Sequence, residues 1–337
     1  MPLEVREEWL KQVREEIIEP TKRIVDPHHH FFEPGGDFPF YDLDSLWGDT
    51  ETHKVEQTVF LQCWEGYRPD GPAEMMPVGE TEWVDKIANR ARVRVSAAQI
   101  GAIIGTAELR LGQDVRTVLE AHRAASPLFR GIRLAAAWDA SEEIMSMPGL
   151  EGPDLYDDPA FREGFRVLEE MEMSFDAYQY HTQTKSLTRL ARDFPNVNIV
   201  NDHLGTPLGV GPYAGKDEVV FEEWKRDLAA QAECPNVFMK LGGLAMPWNG
   251  FGFENAPQPP SSDDIVAHQS RYYHTAIELF GPERCMFESN FPVDKCALSY
   301  TVLWNAFKKM AARYTDSEQD NLFRGTASRF YKLDPVS

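Results

Sequence analysis

Short β-rich runs alternate with longer amphipathic helical patterns along most of this 337-residue chain. This order predicts a parallel sheet, because the chain needs a crossover helix to return to the start of each new parallel strand. The predicted strands are residues 23–26, 58–63, 97–104, 131–135, 174–180, 198–202, 237–241 and 285–289. Eight such units predict a (β/α)8 barrel, a fold that takes about 250 residues or more.

The length of the chain suits one elaborated domain rather than several small ones. We expect an N-terminal helical extension over residues 1–21, the barrel over 22–298 and C-terminal helices over 299–337. The rival fold is an open doubly wound sheet, which normally carries a glycine-rich turn after its first strand. The first predicted strand leads instead into Asp26-Pro27-His28-His29-His30, which favours the barrel.

The net charge of −20 limits the partners of this chain. Binding to a phosphate backbone calls for clustered lysine and arginine, so we expect no nucleic-acid partner. No stretch approaches 18 uncharged apolar residues, and we therefore expect no membrane span. The four cysteines form no CxxC pair, which favours reduced thiols and a cytoplasmic protein. The expected partner is a small molecule, with a homo-oligomer left open.

Four histidines fall at the predicted C-terminal ends of strands, where the chemistry of a barrel gathers. Side chains alternate along a strand, so His28 and His30 face the same way. His181 and His203 close the fifth and sixth runs. Neutral imidazoles are common ligands of zinc and other transition metals. The histidine pair alone is as consistent with an ordinary surface or core location as with half of a metal site. The two further histidines favour a site.

Other polar side chains interrupt or follow the apolar runs. Arg133 lies within the fourth run, where an unpaired charge would be costly, and it meets either a structural carboxylate or a substrate carboxylate. Lys240 interrupts the seventh run and either faces the site or extends to its edge. The candidate substrate-binding residues are Arg133, Gln62, Tyr180, Lys240 and Trp64.

These segments together resemble the second amidohydrolase family, whose barrels include lactonases, related hydrolases and decarboxylases. The resemblance rests on Asp26-Pro27-His28-His29-His30, on His181, and on Asp202-His203-Leu204-Gly205-Thr206-Pro207. It spans roughly residues 25–294 and is closest to the sugar-lactone and pyrone-dicarboxylate lactonase group. A TIM-barrel hydrolase is what this resemblance implies.

One position departs from the family pattern. The eighth strand of the family usually presents an aspartate in a Ser-Asp-aromatic-Pro setting, whereas this chain has Ser289-Asn290-Phe291-Pro292. An amide cannot accept a proton at neutral pH and is a poor zinc ligand. Glu288 is the nearest carboxylate and the expected general base, although a salt bridge to Arg133 or Lys240 would also explain it. Asp294 is a more distant candidate.

The expected reaction is hydrolysis of a cyclic ester of a carboxylic or sugar acid. One divalent cation, zinc or alternatively manganese, would polarise the carbonyl, and a metal-free reaction that uses histidine and arginine is also open. The predicted metal ligands are His28, His30, His181 and His203, and the predicted catalytic residues are Glu288, His203, Arg133 and Asn290. We expect an anionic substrate. A lyase, decarboxylase or hydratase, and a non-catalytic binding barrel are the alternatives.

Overall fold

The computed structural model of the protein describes residues 3–335. Its sheet contains eight parallel strands in the order of the sequence. The strands are β1 (Arg23–His29), β2 (Lys54–Leu61), β3 (Gln99–Gly105), β4 (Phe129–Ala135), β5 (Ser174–Tyr178), β6 (Ile199–Asn201), β7 (Val237–Leu241) and β8 (Cys285–Phe287). The predicted (β/α)8 barrel is therefore confirmed.

The chain segment that follows β8 closes the barrel against β1. The backbone N–H of His30 donates to the carbonyl oxygen of Phe291 at 2.8 Å, and that of Asn290 donates to the carbonyl oxygen of His28 at 3.0 Å. The buried carboxylate of Asp26 reinforces this seam, since it accepts hydrogen bonds from the Ser289 N–H and the Tyr300 hydroxyl, each at 2.9 Å. The closure fixes both ends of the sheet at the predicted site.

Helices surround the barrel and begin at side chains that cap their free N–H groups. Asp158 accepts hydrogen bonds from two N–H groups of the first turn that it precedes, and Ser261 forms a capping box with Asp264. The helices are α1 (Glu7–Leu10), α2 (Leu43–Thr50), α3 (Val78–Ala91), α4 (Val115–Ala125), α5 (Pro159–Glu170), α6 (Thr184–Asp193), α7 (Asp217–Ala232), α8 (Ser262–Phe280), α9 (Tyr300–Ala311), α10 (Asp316–Asp320) and α11 (Thr326–Phe330). A π-helical turn, Asn321–Gly325, joins α10 to α11.

Helix in the N-terminal extension is much shorter than the sequence predicts. Within residues 3–21, helix is limited to the four residues of α1. The chain then runs irregularly along α9. Side chains of α9 satisfy its backbone: Asn305 Oδ1 accepts a hydrogen bond from the Ile18 N–H at 3.0 Å, and Lys308 Nζ donates to the Ile18 carbonyl at 2.7 Å. These tertiary hydrogen bonds replace the helical ones that the pattern favoured.

The C-terminal helix α11 and the residues after it seal the barrel at the N-terminal ends of the strands. Phe330 and Tyr331 are buried against the interior side chains of the barrel, which are Val25, Val59, Leu61, Ala102, Ile104, Val200 and Met286. Arg130 Nε at the start of β4 donates to the Tyr331 carbonyl at 3.0 Å. The C-terminal segment therefore closes the barrel interior at the end opposite the site.

Within residues 3–335, none of the helices is both long and apolar enough to span a membrane.

Two glycines in helices provide a matched test of packing. A Cβ at Gly164 in α5 would collide with the carbonyl of Leu109, whereas one at Gly48 in α2 would have no heavy atom of residues 3–335 within 4 Å apart from its chain neighbours and its own helix backbone. We expect Gly164→Ala to lower the free energy of unfolding by about 1–3 kcal/mol through overpacking. Gly48→Ala should raise it by about 0.5–1 kcal/mol, because alanine favours helix. Urea unfolding measures both, and equal effects at the two positions would contradict the packing.

Candidate active site

The imidazoles of His28 and His30 meet at the C-terminal end of β1. Their Nε2 atoms lie 3.2 Å apart, and His30 Nδ1 lies 2.8 Å from the Leu61 carbonyl oxygen. A carbonyl only accepts, so His30 Nδ1 carries the proton and its Nε2 presents a lone pair towards His28. Burial lowers the pKa of both histidines well below the usual value. The pair is neutral and oriented as a ligand pair.

Glu288, directly after β8, contacts the Nδ1 atoms of two of the site histidines. Its Oε2 lies 2.7 Å from His28 Nδ1, and its Oε1 lies 2.7 Å from His203 Nδ1. The backbone N–H of His203 also donates to Oε1 at 3.1 Å. The carboxylate is fully buried, and burial raises its pKa to about 8. Glu288 thus orients the His203 ring by a hydrogen bond through Nδ1 and lies against Nδ1 of His28, whose hydrogen-bond partner at that atom is Lys240 Nζ.

The turn after β6 brings His203 into this position. Four consecutive residues, His203 to Thr206, have positive φ angles of 55°, 57°, 66° and 45°. Such conformations are uncommon outside glycine and concentrate at functional sites. After β7, Gly242 and Gly243 leave the necessary space, because a Cβ at Gly243 would collide with the His203 ring and one at Gly242 with Glu288.

Lys240 of β7 brings a buried cation to the same cluster. Its Nζ donates to Asp176 Oδ1 at 2.7 Å, and it lies 3.0 Å from Asp202 Oδ1 and 3.1 Å from His28 Nδ1. All four side chains are fully buried. Burial raises the pKa of Asp202 to about 6, against the lowering effect of Lys240. Within residues 3–335 neither carboxylate oxygen of Asp202 accepts a hydrogen bond of good geometry.

Arg133 of β4 lies on the other side of His28. Gln62 holds the guanidinium, since its side-chain oxygen accepts from Nε at 3.2 Å and from Nη2 at 2.8 Å, and its carbonyl oxygen also accepts from Nη2. Arg133 Nη1 lies 3.3 Å from His28 Nε2 and 4.0 Å from Asp202 Oδ2. Gln62 therefore fixes the guanidinium over the histidines.

His181, after β5, has a different hydrogen-bonding state from the other three site histidines. The backbone N–H of Leu208 donates to its Nδ1 at 3.3 Å, so its Nε2 carries the proton. This Nε2 is buried and has no hydrogen-bond partner among the residues that the structure describes. A protonated Nε2 is a hydrogen-bond donor rather than a metal ligand.

Comparison with known proteins agrees with this geometry. A family model described as amidohydrolase matches residues 25–333. The chain belongs to the amidohydrolase family. The match includes all eight strands except the first two residues of β1, and it includes each of the polar groups described above.

Two relatives of this amidohydrolase and one solved structure match it over nearly its whole length. An uncharacterised protein, y4mH, of Sinorhizobium fredii is 31% identical over 92% of this chain and 98% of its own. An L-fucono-1,5-lactonase of Burkholderia ambifaria is 25% identical over 93% of this chain and 97% of its own. A solved amidohydrolase from Burkholderia multivorans with bound Zn is 22% identical, with a TM-score of 0.70 over 93% of this chain and 100% of that one.

The donor set of this amidohydrolase fits one divalent cation. His28, Asp202 and His203 offer ligand atoms that all lie within 4.8 Å of one another, and His30 adds its Nε2 beside His28. The unsatisfied carboxylate of Asp202 is an oxygen ligand of the kind that such an ion requires. Arg133 and the ion would compete for the same lone pair on His28.

Three other predicted site residues have side chains that lie outside the contact network of the imidazoles. Asn290 is buried, and its Nδ2 donates to Asp294 Oδ1 at 2.9 Å. The Tyr180 hydroxyl donates to the Met145 carbonyl, which ties two loops together. Trp64 is 49% exposed on the loop after β2. Within residues 3–335, none of these three side chains forms a hydrogen bond to an imidazole of the cluster.

Asp202 and Asp176 are the polar groups of the cluster that sequence reasoning missed. Asp176 lies beside Arg133 in the register of β4 and β5, and Asp202 immediately precedes His203. The available signal was an acidic residue in or directly after each of two apolar strands, β5 beside the strand with Arg133 and β6 beside the strand with Lys240. Buried charges of opposite sign in neighbouring strands indicate a paired network.

Asp202→Asn tests the cation site. We expect it to lower the affinity for Zn²⁺ at least about tenfold, because an amide replaces the carboxylate whose two oxygens both lack a hydrogen bond of good geometry within residues 3–335. Competition with a chromophoric chelator measures this affinity. Asp316→Asn removes an equal charge at an exposed position and should leave it unchanged. Equal affinities of wild type and Asp202→Asn would exclude Asp202 as a ligand.

Proposed function

We propose that this amidohydrolase opens the ring of an uncharged sugar-acid lactone by attack of water on the ester carbonyl. The observation that carries the proposal is the buried cluster of Glu288, His28, His203, Asp202 and Arg133 at the C-terminal rim of the barrel. The cluster combines a base with an orienting carboxylate, a cation site and a fixed guanidinium, which together suit ester hydrolysis. The lactonase relatives support this reaction class.

The cation site would be built on His28 and Asp202, two members of the compact donor set, with His30 Nε2 added at 3.2 Å from His28 Nε2. A bound divalent ion, zinc as the first choice, would polarise the lactone carbonyl as a Lewis acid. This assignment leaves His203 Nε2 free, because Glu288 engages its Nδ1. A reaction without an ion would rely on Arg133 in the same place.

His203 and Glu288 would act together as the general base. The contact with Glu288 places the proton of His203 on Nδ1, so that Nε2 can accept a proton from the attacking water. The hydroxyl then bonds to the carbonyl carbon, and the ring C–O bond breaks. The leaving ring oxygen takes the proton, which gives an open-chain hydroxy acid. Burial lowers the pKa of His203 to about 3 and raises that of Glu288 to about 8. When Nε2 takes a proton from water, the Nδ1 proton would therefore move to the Glu288 carboxylate.

Two donors are available for the carbonyl oxygen or for substrate hydroxyls. Arg133 is fixed by Gln62, and His181 presents a buried Nε2–H whose partner is not found among residues 3–335. Preorganised donors stabilise the negative charge that develops on the carbonyl oxygen without reorganising during the reaction. We propose His181 as a substrate donor in place of its predicted role as a metal ligand.

Charge pairing favours an uncharged substrate over the anionic one that we expected from the sequence. Lys240 is surrounded by Asp176 and Asp202, and Arg133 is held by Gln62 and lies near Asp202. Within the described structure Lys240 is enclosed by carboxylates and is not free to pair with a substrate carboxylate, which leaves Arg133 as the site cation that can donate to the carbonyl oxygen. We also propose a cytoplasmic location, which the four buried free thiols support.

Glu288→Gln tests the base. We expect it to reduce kcat on sugar-acid lactones by about 10²–10⁴-fold, since the amide cannot orient or relieve His203 in the same way. A pH-indicator assay over aldono-1,5- and 1,4-lactones, with 2-pyrone-4,6-dicarboxylate as an anionic comparison, measures turnover. Glu283→Gln makes the same change at an exposed position and should leave kcat unchanged.

Product analysis separates this proposal from a lyase. Mass spectrometry should show the substrate mass plus one water. Release of carbon dioxide, or turnover of the dicarboxylate alone, would refute an uncharged lactone as the substrate. Full activity of a folded Glu288→Gln variant would refute the assigned base.

A further inference from the structure

Lys240 has the surroundings of a bound metal ion. Its Nζ lies 2.7 Å from Asp176 Oδ1, 3.0 Å from Asp202 Oδ1, 3.1 Å from His28 Nδ1 and 4.0 Å from Glu288 Oε2. Three carboxylates and an imidazole are the ligands that a divalent cation prefers, and here they surround an ammonium. All of these side chains are fully buried.

The C-terminal segment holds this arrangement from the floor of the barrel. The Tyr331 hydroxyl donates to Asp176 Oδ1 at 2.6 Å, and Lys240 Nζ lies 5.6 Å from the centre of the Tyr331 ring. Tyr331 is fully buried, so water does not compete for Asp176 at this point. The ammonium is therefore fixed in place rather than extended to the rim.

Asp202 and His28 each have one atom towards Lys240 and another towards the candidate cation site. Asp202 Oδ1 and His28 Nδ1 face Lys240, whereas Asp202 Oδ2 and His28 Nε2 both lie towards Arg133 Nη1, at 4.0 and 3.3 Å, with His30 beside them. The two cation positions thus share two residues. A fixed positive charge in one position must oppose binding of an ion in the other, because charges interact strongly in a buried, low-dielectric region.

We infer that Lys240 is a resident cation of the active site: its ammonium occupies one of two adjoining cation positions and lowers the affinity of the other for a divalent ion. Lys240 is then a positioning and charge-balancing residue rather than the substrate contact that the sequence predicted. The inference rests on the cation site described above and is independent of the identity of the substrate.

Removal of single charges provides the test, with Zn²⁺ affinity of the full-length chain as the readout. We expect Lys240→Met to bind Zn²⁺ at least about tenfold more tightly, since it removes the opposing charge and leaves the carboxylates. Asp176→Asn should weaken binding, because the ammonium loses its counter-charge. The double variant Lys240→Met/Asp176→Asn restores the balance and should return to within about threefold of wild type.

Lys295→Met is the matched control. Lys295 is also buried and lies 3.0 Å from both Asp49 and Glu7, outside the barrel interior. Its replacement removes the same charge and should leave Zn²⁺ affinity unchanged. An effect equal to that of Lys240→Met would show that overall charge, not a resident cation, controls binding and would overturn the inference.

Other outcomes are equally decisive. Unchanged or weaker Zn²⁺ binding by Lys240→Met, or no binding by either wild type or this variant, overturns the inference. If Lys240→Met does not fold, weaker binding by Asp176→Asn supports the inference and unchanged or tighter binding overturns it. Lactone turnover plays no part in these measurements, so a failed lactonase assay with the predicted Zn²⁺ series would reject the proposed function alone.

Discussion

The site depends on one buried carboxylate held between two imidazoles. Glu288 contacts His28 of β1 and His203 after β6, each at 2.7 Å, and thereby joins three distant segments of the chain. Burial makes this contact strong and also makes it costly to break, because an isolated charge or donor would be left without water. The space for it comes from glycine at Gly242 and Gly243. Barrel closure and the left-handed turn after β6 bring the two rings into contact with this carboxylate. The contact in turn sets how the rings are oriented.

Charge balance connects this carboxylate to the rest of the barrel interior. The interior contains two cations, Arg133 and Lys240, and three acidic groups, Asp176, Asp202 and Glu288, within a single contact network. Such a network is tolerated in a low-dielectric region only when the charges compensate one another. The fixed charges of this network also set the electrostatic field at the neutral histidine pair. An ion or a substrate carbonyl must bind in that field.

The eight strands and the four histidines were predictable because strand alternation and apolar periodicity are local signals. The limited helix of the N-terminal extension was not, because side chains of α9, nearly 300 residues away, bind the backbone of the irregular segment at Ile18 that follows α1. Glu288 was identified from its spacing to Asn290, but its contact with two Nδ1 atoms depends on the turn at His203. Asp202 was missed because its unsatisfied carboxylate is a property of the folded interior, and the tautomer of His181 depends on a backbone N–H that only the fold supplies.

The central claim is that water attacks the carbonyl carbon of a lactone in this cluster. Hydrolysis of an aldonolactone by the wild-type protein in ¹⁸O-labelled water, followed by mass spectrometry of the product, tests it directly. We predict one labelled oxygen per turnover, located in the new carboxylate. Label in the ring-derived hydroxyl, loss of carbon dioxide or absence of turnover across the lactone series would contradict the account.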